Sequence, residues 1–196
     1  MAGAAKTRLI PALGAEGAAA AHRALAERAL ATALAWADVA GDDNRQVSVW
    51  FTGGSEDEVR AWLGEHPRLS FRAQPAGDLG ARMAAVFAEA AAAEGERAVI
   101  IGTDCPALAP RHIEEAFDAG ATVVLGPCTD GGYYLIGAHE PPPAIFADMP
   151  WGTDQVLALT VERARAAGVT ITLLSEALDD VDRPQDLHIL ERYKLR

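Results

Sequence analysis

The stretch RAVIIGTDCPALAPRHIEEAFDAGATVVLGPCTDGG, residues 97–132, carries the pattern from which the fold is read. It opens on a continuous apolar run, Arg97–Gly102, and reaches a second at Ala121–Gly126, with a helix over about Pro110–Ala119 between them. Apolar runs without polar alternation belong to strands covered on both faces, and a helix joining two such strands is the unit of a parallel sheet. Each run ends in glycine and passes into a polar loop: Thr103-Asp104-Cys105-Pro106 after the first, Pro127 to Gly132 after the second. Ligands of such sheets collect beyond the C-terminal strand ends, so these loops are the first place to look for chemistry.

The alternation continues in both directions. Upstream lie a helix from Glu16 to about Val39, a strand at Gln46–Thr52, and a helix at Ser55–Leu63 that Ser55 and Glu58 can cap reciprocally. A short strand at Leu69–Gln74 and a helix from Asp78 to about Glu94 follow. Downstream come an apolar run at Tyr133–Ala138, a triple-proline turn at 141–143, a helix over about Thr153–Ala167, a strand at Val169–Leu174 and a last helix from Pro184. The expectation is an α/β fold with a mostly parallel sheet. At 196 residues, half of them hydrophobic, the chain makes one domain spanning 1–196.

The net charge is −11, from residues spread along the whole chain. Such a surface repels phosphate backbones and argues against nucleic acid as a partner. An anionic substrate must therefore meet local positive charge: a few basic side chains, a helix N-terminus or a metal ion. Cys105 and Cys128 stand at strand ends and read as reduced thiols of a cytoplasmic protein. No run resembles a signal peptide or reaches membrane-spanning length, so no membrane association is expected.

Asp104 places a carboxylate at a strand exit, as a metal ligand or as an ordinary turn aspartate. Asp130-Gly131-Gly132 allows close backbone approach to a ligand, although Asp130-Gly131 is also a hairpin signal. In extended backbone Asp180 and Asp182 project from one side with Val181 facing the core; two carboxylates there suit a hard divalent cation, the alternatives being solvation or capping of the helix at Pro184. Lys6 and Arg8 could bind a diphosphate, or simply be solvated. Gly77 and Arg82 flank the start of a helix that could meet an anion, with plain capping by Asp78 as the competitor. The scattered histidines show no zinc-ligand spacing. There is no nucleophile elbow, dinucleotide fingerprint or Walker A loop, which argues against hydrolases, nicotinamide dehydrogenases and P-loop enzymes.

Taken in order, KTRL (6–9), GDLGARM (77–83), IGTDCPAL (101–108), VVLGPCTDGGYYLIG (123–137), Trp151-Gly152-Thr153 and DDVDRPQDL (179–187) resemble a glycosyltransferase-like family of small bacterial proteins. That family is related to the nucleotidyltransferases that make molybdenum-cofactor dinucleotides and guanylylated 2-phospholactate. The resemblance implies a Rossmann-like three-layer α/β/α fold of the nucleotide-diphospho-sugar transferase (glycosyltransferase A) type. It further implies a nucleoside triphosphate or sugar nucleotide bound with Mg2+ or Mn2+, and a small acceptor. By position, Asp104, Asp180 and Asp182 look like the metal carboxylates, and Lys6 and Arg8 like phosphate-binding cations that act with Asp104 in catalysis. Gly77, Arg82, Asp130, Gly131 and Gly132 fall in substrate-side loops.

One departure stands out. Relatives begin with an apolar strand and a proline-glycine loop before KTRL, whereas only Met1–Ala5 precede it here. That first strand would lie mid-sheet and its loop would hold the nucleobase, so its absence should bare apolar edges. Either the start is truncated or a neighbouring segment fills the gap, and pairing of two copies into a homodimer is one way to cover it. The resemblance favours a transferase; the isolated Asp104, with no D-x-D at the central strand end, tilts it toward nucleotidyl rather than glycosyl transfer. A non-catalytic nucleotide or sugar-nucleotide binding protein is the alternative.

Overall fold

The computed structural model describes residues 5–39, 44–93 and 97–195; Met1–Ala4, and the expected helix end at Glu94, lie outside them. A 3-10 turn (Thr7–Leu9) leads into α1 (Ile10–Ala37), followed by β1 (Val47–Phe51), α2 (Glu56–Leu63), β2 (Leu69–Ala73), α3 (Leu79–Ala92) and β3 (Ala98–Ile101). Then come α4 (Pro110–Asp118), β4 (Val123–Pro127), β5 (Tyr133–Ala138), α5 (Val156–Ala166), β6 (Ile171–Leu173) and α6 (Leu187–Arg192). The boundaries follow local chemistry. Ser55 and Glu58 close a reciprocal capping box at the start of α2. Asp78 caps α3 by accepting from the Ala81 amide at 2.8 Å. α1 begins before the expected Glu16 because it continues through a kink at Gly14, whose φ of 70° leaves the helical path.

Two sheets form: β1 pairs with β2 in parallel, and the other four strands lie in the order β3-β5-β4-β6. Within the second sheet β3, β4 and β6 point one way and β5 the other. Because β5 sits between β3 and β4, both of its ladders are antiparallel and the sheet is mixed. The expectation of a mostly parallel sheet holds for strand direction and needs this one amendment. The run at Tyr133–Ala138 returns by a hairpin rather than by a helical crossover.

Helices cover both faces of the four-stranded sheet, as a three-layer fold requires. Met83 and Phe87 from α3 and Ala164 from α5 pack against Val123, Leu125 and Ile136. Ala116 from α4 packs on the opposite face with Val124 and Leu135. The alternation along β4 is the period of two that sends successive side chains to opposite faces, and Val123, Val124 and Leu125 are all 0% exposed.

The chain's sheet divides between β1 and β3, which share no ladder. Both strands nevertheless lie under the same helices: Ala33, Trp36 and Ala37 of α1 and Ile113 of α4 cluster with Val47 of β1 and with Val99 and Ile101 of β3. All four residues of β3 remain half-buried, in contrast to β4. Among the described residues no strand joins these two edges.

A polar cavity where the two ends of the chain meet

Leu9 fixes the N-terminal segment. It is fully buried in a cluster with Leu25, Val181 and Leu190, which leaves Lys6 at the start of an anchored turn and Arg8 within it. Lys6 adopts a left-handed backbone (φ 50°), uncommon for a residue with a side chain and tolerated where surrounding contacts over-determine it. Those contacts are visible. The Lys6 side chain is 5% exposed; its ammonium donates to the Val181 carbonyl oxygen and pairs with Asp104 Oδ1 at 2.8 Å. Arg8 pairs with Asp182.

The strand-end loops are sewn together from the other side. The Val181 amide donates to the Asp104 carbonyl oxygen at 2.9 Å, and the Val181 side chain is fully buried, so Asp180 and Asp182 flank an inward anchor as the extended pattern requires. Asp182 does not cap the following helix; Asp186 does that work, its carboxylate accepting from the Asp182 and Arg183 amides at 3.1 and 2.7 Å. Thr129 donates its hydroxyl to Asp179 at 2.8 Å and its amide to the Leu178 carbonyl oxygen at 3.0 Å.

The Cys128–Gly132 segment is the β4–β5 hairpin turn. The Cys128 amide donates to the Gly132 carbonyl oxygen, and Asp130 accepts from the Gly132 amide at 2.8 Å. At Gly131 φ is 90°, and a β-carbon there would stand 2.2 Å from the Asp154 carbonyl oxygen, so only glycine fits. The Gly131 carbonyl oxygen accepts from the Leu157 amide at 2.9 Å, which ties the turn to the start of α5.

The N-terminal turn, α1, the loop after β3 and the segment at Asp182 line an open polar cavity of roughly 450 Å3, bordered by Lys6, Arg8, His22, Thr103, Asp104 and Asp182. A second, mostly apolar groove of roughly 500 Å3 runs along α5 past Gly131, Asp154, Leu157, Val161 and Leu173. The polar cavity gathers the cations and carboxylates and is the candidate site. His22 has no counterpart in the sequence reading. It sits on α1 beside the buried stripe of Ala18, Ala21 and Leu25, so its position on the helix after KTRL was the available signal. Burial holds its imidazole below the ordinary value, with the Asp104 charge pulling the other way.

Asp180 lies half-buried beside the cavity, and its pKa is pushed up to about 6, first by burial and then by the charge of Asp130, with Asp186 adding and Lys6 opposing. The carboxylates therefore fall into two kinds. Asp104 and Asp182 are already neutralised by Lys6 and Arg8, while Asp180 and Asp130 repel each other. Among the described residues no three His, Cys, Asp or Glu side chains are placed to hold a metal together, so Asp104, Asp180 and Asp182 do not form a preassembled cage. Gly77 and Arg82 stay apart: the Arg82 guanidinium bonds the Gly77 carbonyl oxygen and Gln74 Oε1, both at 3.1 Å, and neither residue lines the cavity.

Cys105 and Cys128 face each other beneath the loops with their sulfurs 3.5 Å apart. The hydrogen bond between them, together with burial, pushes the Cys105 thiol far up. No helix among the described residues is long and apolar enough to cross a membrane.

The model of a bacterial family described as "Uncharacterized protein conserved in bacteria (DUF2064)" matches residues 34–153. Among solved structures, the chain is similar to one from Desulfovibrio desulfuricans G20 described as a "putative nucleotide-diphospho-sugar transferase". The two are 30% identical with a TM-score of 0.84, over 98% of this chain and 82% of that one. No curated protein matches.

Proposed function

The chain belongs to the conserved bacterial family DUF2064 and has the nucleotide-diphospho-sugar transferase fold, and on that footing we propose that it is a metal-dependent transferase acting on a nucleoside triphosphate or sugar nucleotide. The observation that carries this reading is the convergence of Lys6, Arg8, Asp104 and Asp182, from opposite ends of the chain, in one polar cavity beyond the sheet. On a chain of net charge −11, two cations held at a strand-end cleft are a local exception that suits an anionic substrate. The solved neighbour's name supports the same class.

The donor set fits a small hard cation of one kind. Mg2+ is usually held by one or two carboxylates with the remaining positions filled by water and substrate phosphates, rather than by an all-protein cage. Asp180, whose charged form burial and Asp130 disfavour, and the outward-facing Asp104 offer such a partial set, and Mn2+ accepts the same oxygen ligands. When bound, the ion supplies neutralisation of the phosphate oxygens.

The chain's own residues then do the following. Lys6 and Arg8 exchange their carboxylate partners for phosphate oxygens and stabilise charge on the departing group. Anchoring of Leu9 and Val181 keeps these side chains in register, so catalysis is positioning plus electrostatics, with no protein nucleophile. In the nucleotidyl version an acceptor oxygen bonds to the α-phosphorus as the bond to pyrophosphate breaks; in the glycosyl version the nucleoside diphosphate departs from the sugar carbon. Absence of a second aspartate beside Asp104 favours the first. The Cys128–Gly132 turn and the apolar groove past Gly131 form the acceptor side.

A second reading, a binding protein without turnover, draws on the mutual neutralisation of Lys6 with Asp104 and Arg8 with Asp182 and on the sheet's division beside the cavity. Phosphorus NMR with Mn2+-free, Mg2+-loaded protein, a panel of nucleoside triphosphates and sugar nucleotides, and pooled phosphorylated and hydroxylated acceptors separates the two. Pyrophosphate release supports nucleotidyl transfer and nucleoside diphosphate release supports glycosyl transfer. Nucleotide binding without either product supports the binding protein, and no binding of any nucleotide refutes both.

A further inference from the structure

We infer that Cys105 and Cys128 are a redox-active dithiol, closing to an intramolecular disulfide when an oxidised low-molecular-weight disulfide reaches Cys128. The inference does not rest on the transferase reading. The two residues stand 23 positions apart in sequence, yet their sulfurs are 3.5 Å apart. A disulfide bond is about 2.0 Å long, so closure asks for a contraction of roughly 1.5 Å. Among the described residues neither cysteine is in a disulfide, and the surroundings, Leu108, Tyr134, Leu174 and Leu178 among them, are apolar.

The backbone keeps the pair together. The Cys128 segment is bonded to Leu178 through the Thr129 amide, and the segment after Leu178 returns to the Asp104 carbonyl oxygen through the Val181 amide. The loops that carry the two cysteines are thereby tied to one common segment, Leu178–Val181, which limits how far they can separate. Access is unequal: Cys105 is 6% exposed, whereas Cys128 is only half-buried and is the sulfur that a reagent meets first.

The chemistry closes in two exchanges. The Cys128 sulfur, having released its proton, bonds to one sulfur of the oxidant and expels the other half as a thiolate, which takes up a proton. Cys105 then bonds to the Cys128 sulfur as its proton passes to the departing second half of the oxidant, which leaves as a thiol. Two protein thiols become one disulfide, and the oxidant is reduced to two thiols. The new bond would join the loop after β3 to the β4–β5 turn, next to Asp104 and Asp130.

The test incubates the folded full chain with glutathione disulfide, blocks remaining thiols with iodoacetamide and measures the intact mass. The expected product has lost about 2 Da, carries no alkyl group or glutathione, and returns to two alkylatable thiols after dithiothreitol. Cys105→Ser should instead hold a stable glutathione adduct at Cys128, since the resolving sulfur is gone, and Cys128→Ser should form no internal disulfide. Two alkylated thiols in the wild type, a persistent glutathione adduct on it, or a disulfide-linked dimer would each overturn the inference.

Discussion

Replacing Asp180 by asparagine in metal-free protein should stabilise the fold, and only above mildly acidic pH. The folded carboxyl has its pKa pushed from the ordinary 3.8 up to about 6, so the folded chain holds the Asp180 proton more tightly than the unfolded chain does. Below about pH 4 the group is neutral in both states and costs nothing; the cost grows as pH rises toward 6 and is complete above it. At 1.36 kcal/mol per pH unit the rise corresponds to roughly 3 kcal/mol, which we halve to about 1.5 kcal/mol because half of the group faces screening solvent. For a chain of this size, that is a gain of about 3–6 °C in Tm for Asp180→Asn near neutral pH with chelator present. Thermal melts of both proteins from about pH 4 to 8 read this directly, with the two curves converging at the acid end. An Asp180→Asn protein that melts at or below the wild-type temperature at about pH 8 would show that Asp180 is not under the strain from burial and from Asp130 that we describe.

Two further outcomes follow from the architecture. Gly131→Ala should cost roughly 2–4 kcal/mol in urea unfolding, because its φ of 90° disfavours alanine and the new methyl group would meet the Asp154 carbonyl oxygen at 2.2 Å; an unchanged midpoint would mean that the turn does not pack on α5 as described. Amides of β3 should exchange with deuterium at least about tenfold faster than those of β4, since β3 has one paired edge and half-buried residues while β4 lies between two strands in the core; equal protection would mean that the open edge of β3 is covered, as pairing of two copies would do.

Much of the fold was legible because continuous apolar runs and capped helices are local patterns. Val123–Leu125 reads as a buried strand whatever surrounds it, and Ser55 with Glu58 announces a helix start. Direction was not legible for β5, since an apolar run looks the same whichever way it points; the Asp130-Gly131 hairpin signal was the clue that it turns back. The helix expected from Glu16 begins already at Ile10, because Pro11 is tolerated in a first turn and the helix resumes past the kink at Gly14.

For the site, sequence singled out Lys6, Arg8, Asp104, Asp180 and Asp182; the fold gathers Lys6, Arg8, Asp104 and Asp182 around one cavity, while Asp180 stands outside its lining. Their pairings could not be read, because no spacing rule links Lys6 to Asp104 or Arg8 to Asp182 across such separations. Long-range pairing of this kind is a property of the packed core, here of Leu9 against Val181. It also changes the chemistry. The cations and carboxylates meet each other first, and a substrate must compete for them.

The most direct test of the central claim is calorimetric titration of nucleoside triphosphates and sugar nucleotides, with and without Mn2+, into wild type and the Lys6→Met/Asp104→Asn double variant. The double change removes the ion pair without stranding a buried charge. The account predicts that one nucleotide class binds the wild type only with the ion present, and binds the folded double variant at least about tenfold, or 1.4 kcal/mol, more weakly. Equal affinity in the two proteins, or no nucleotide binding by the wild type, would contradict it.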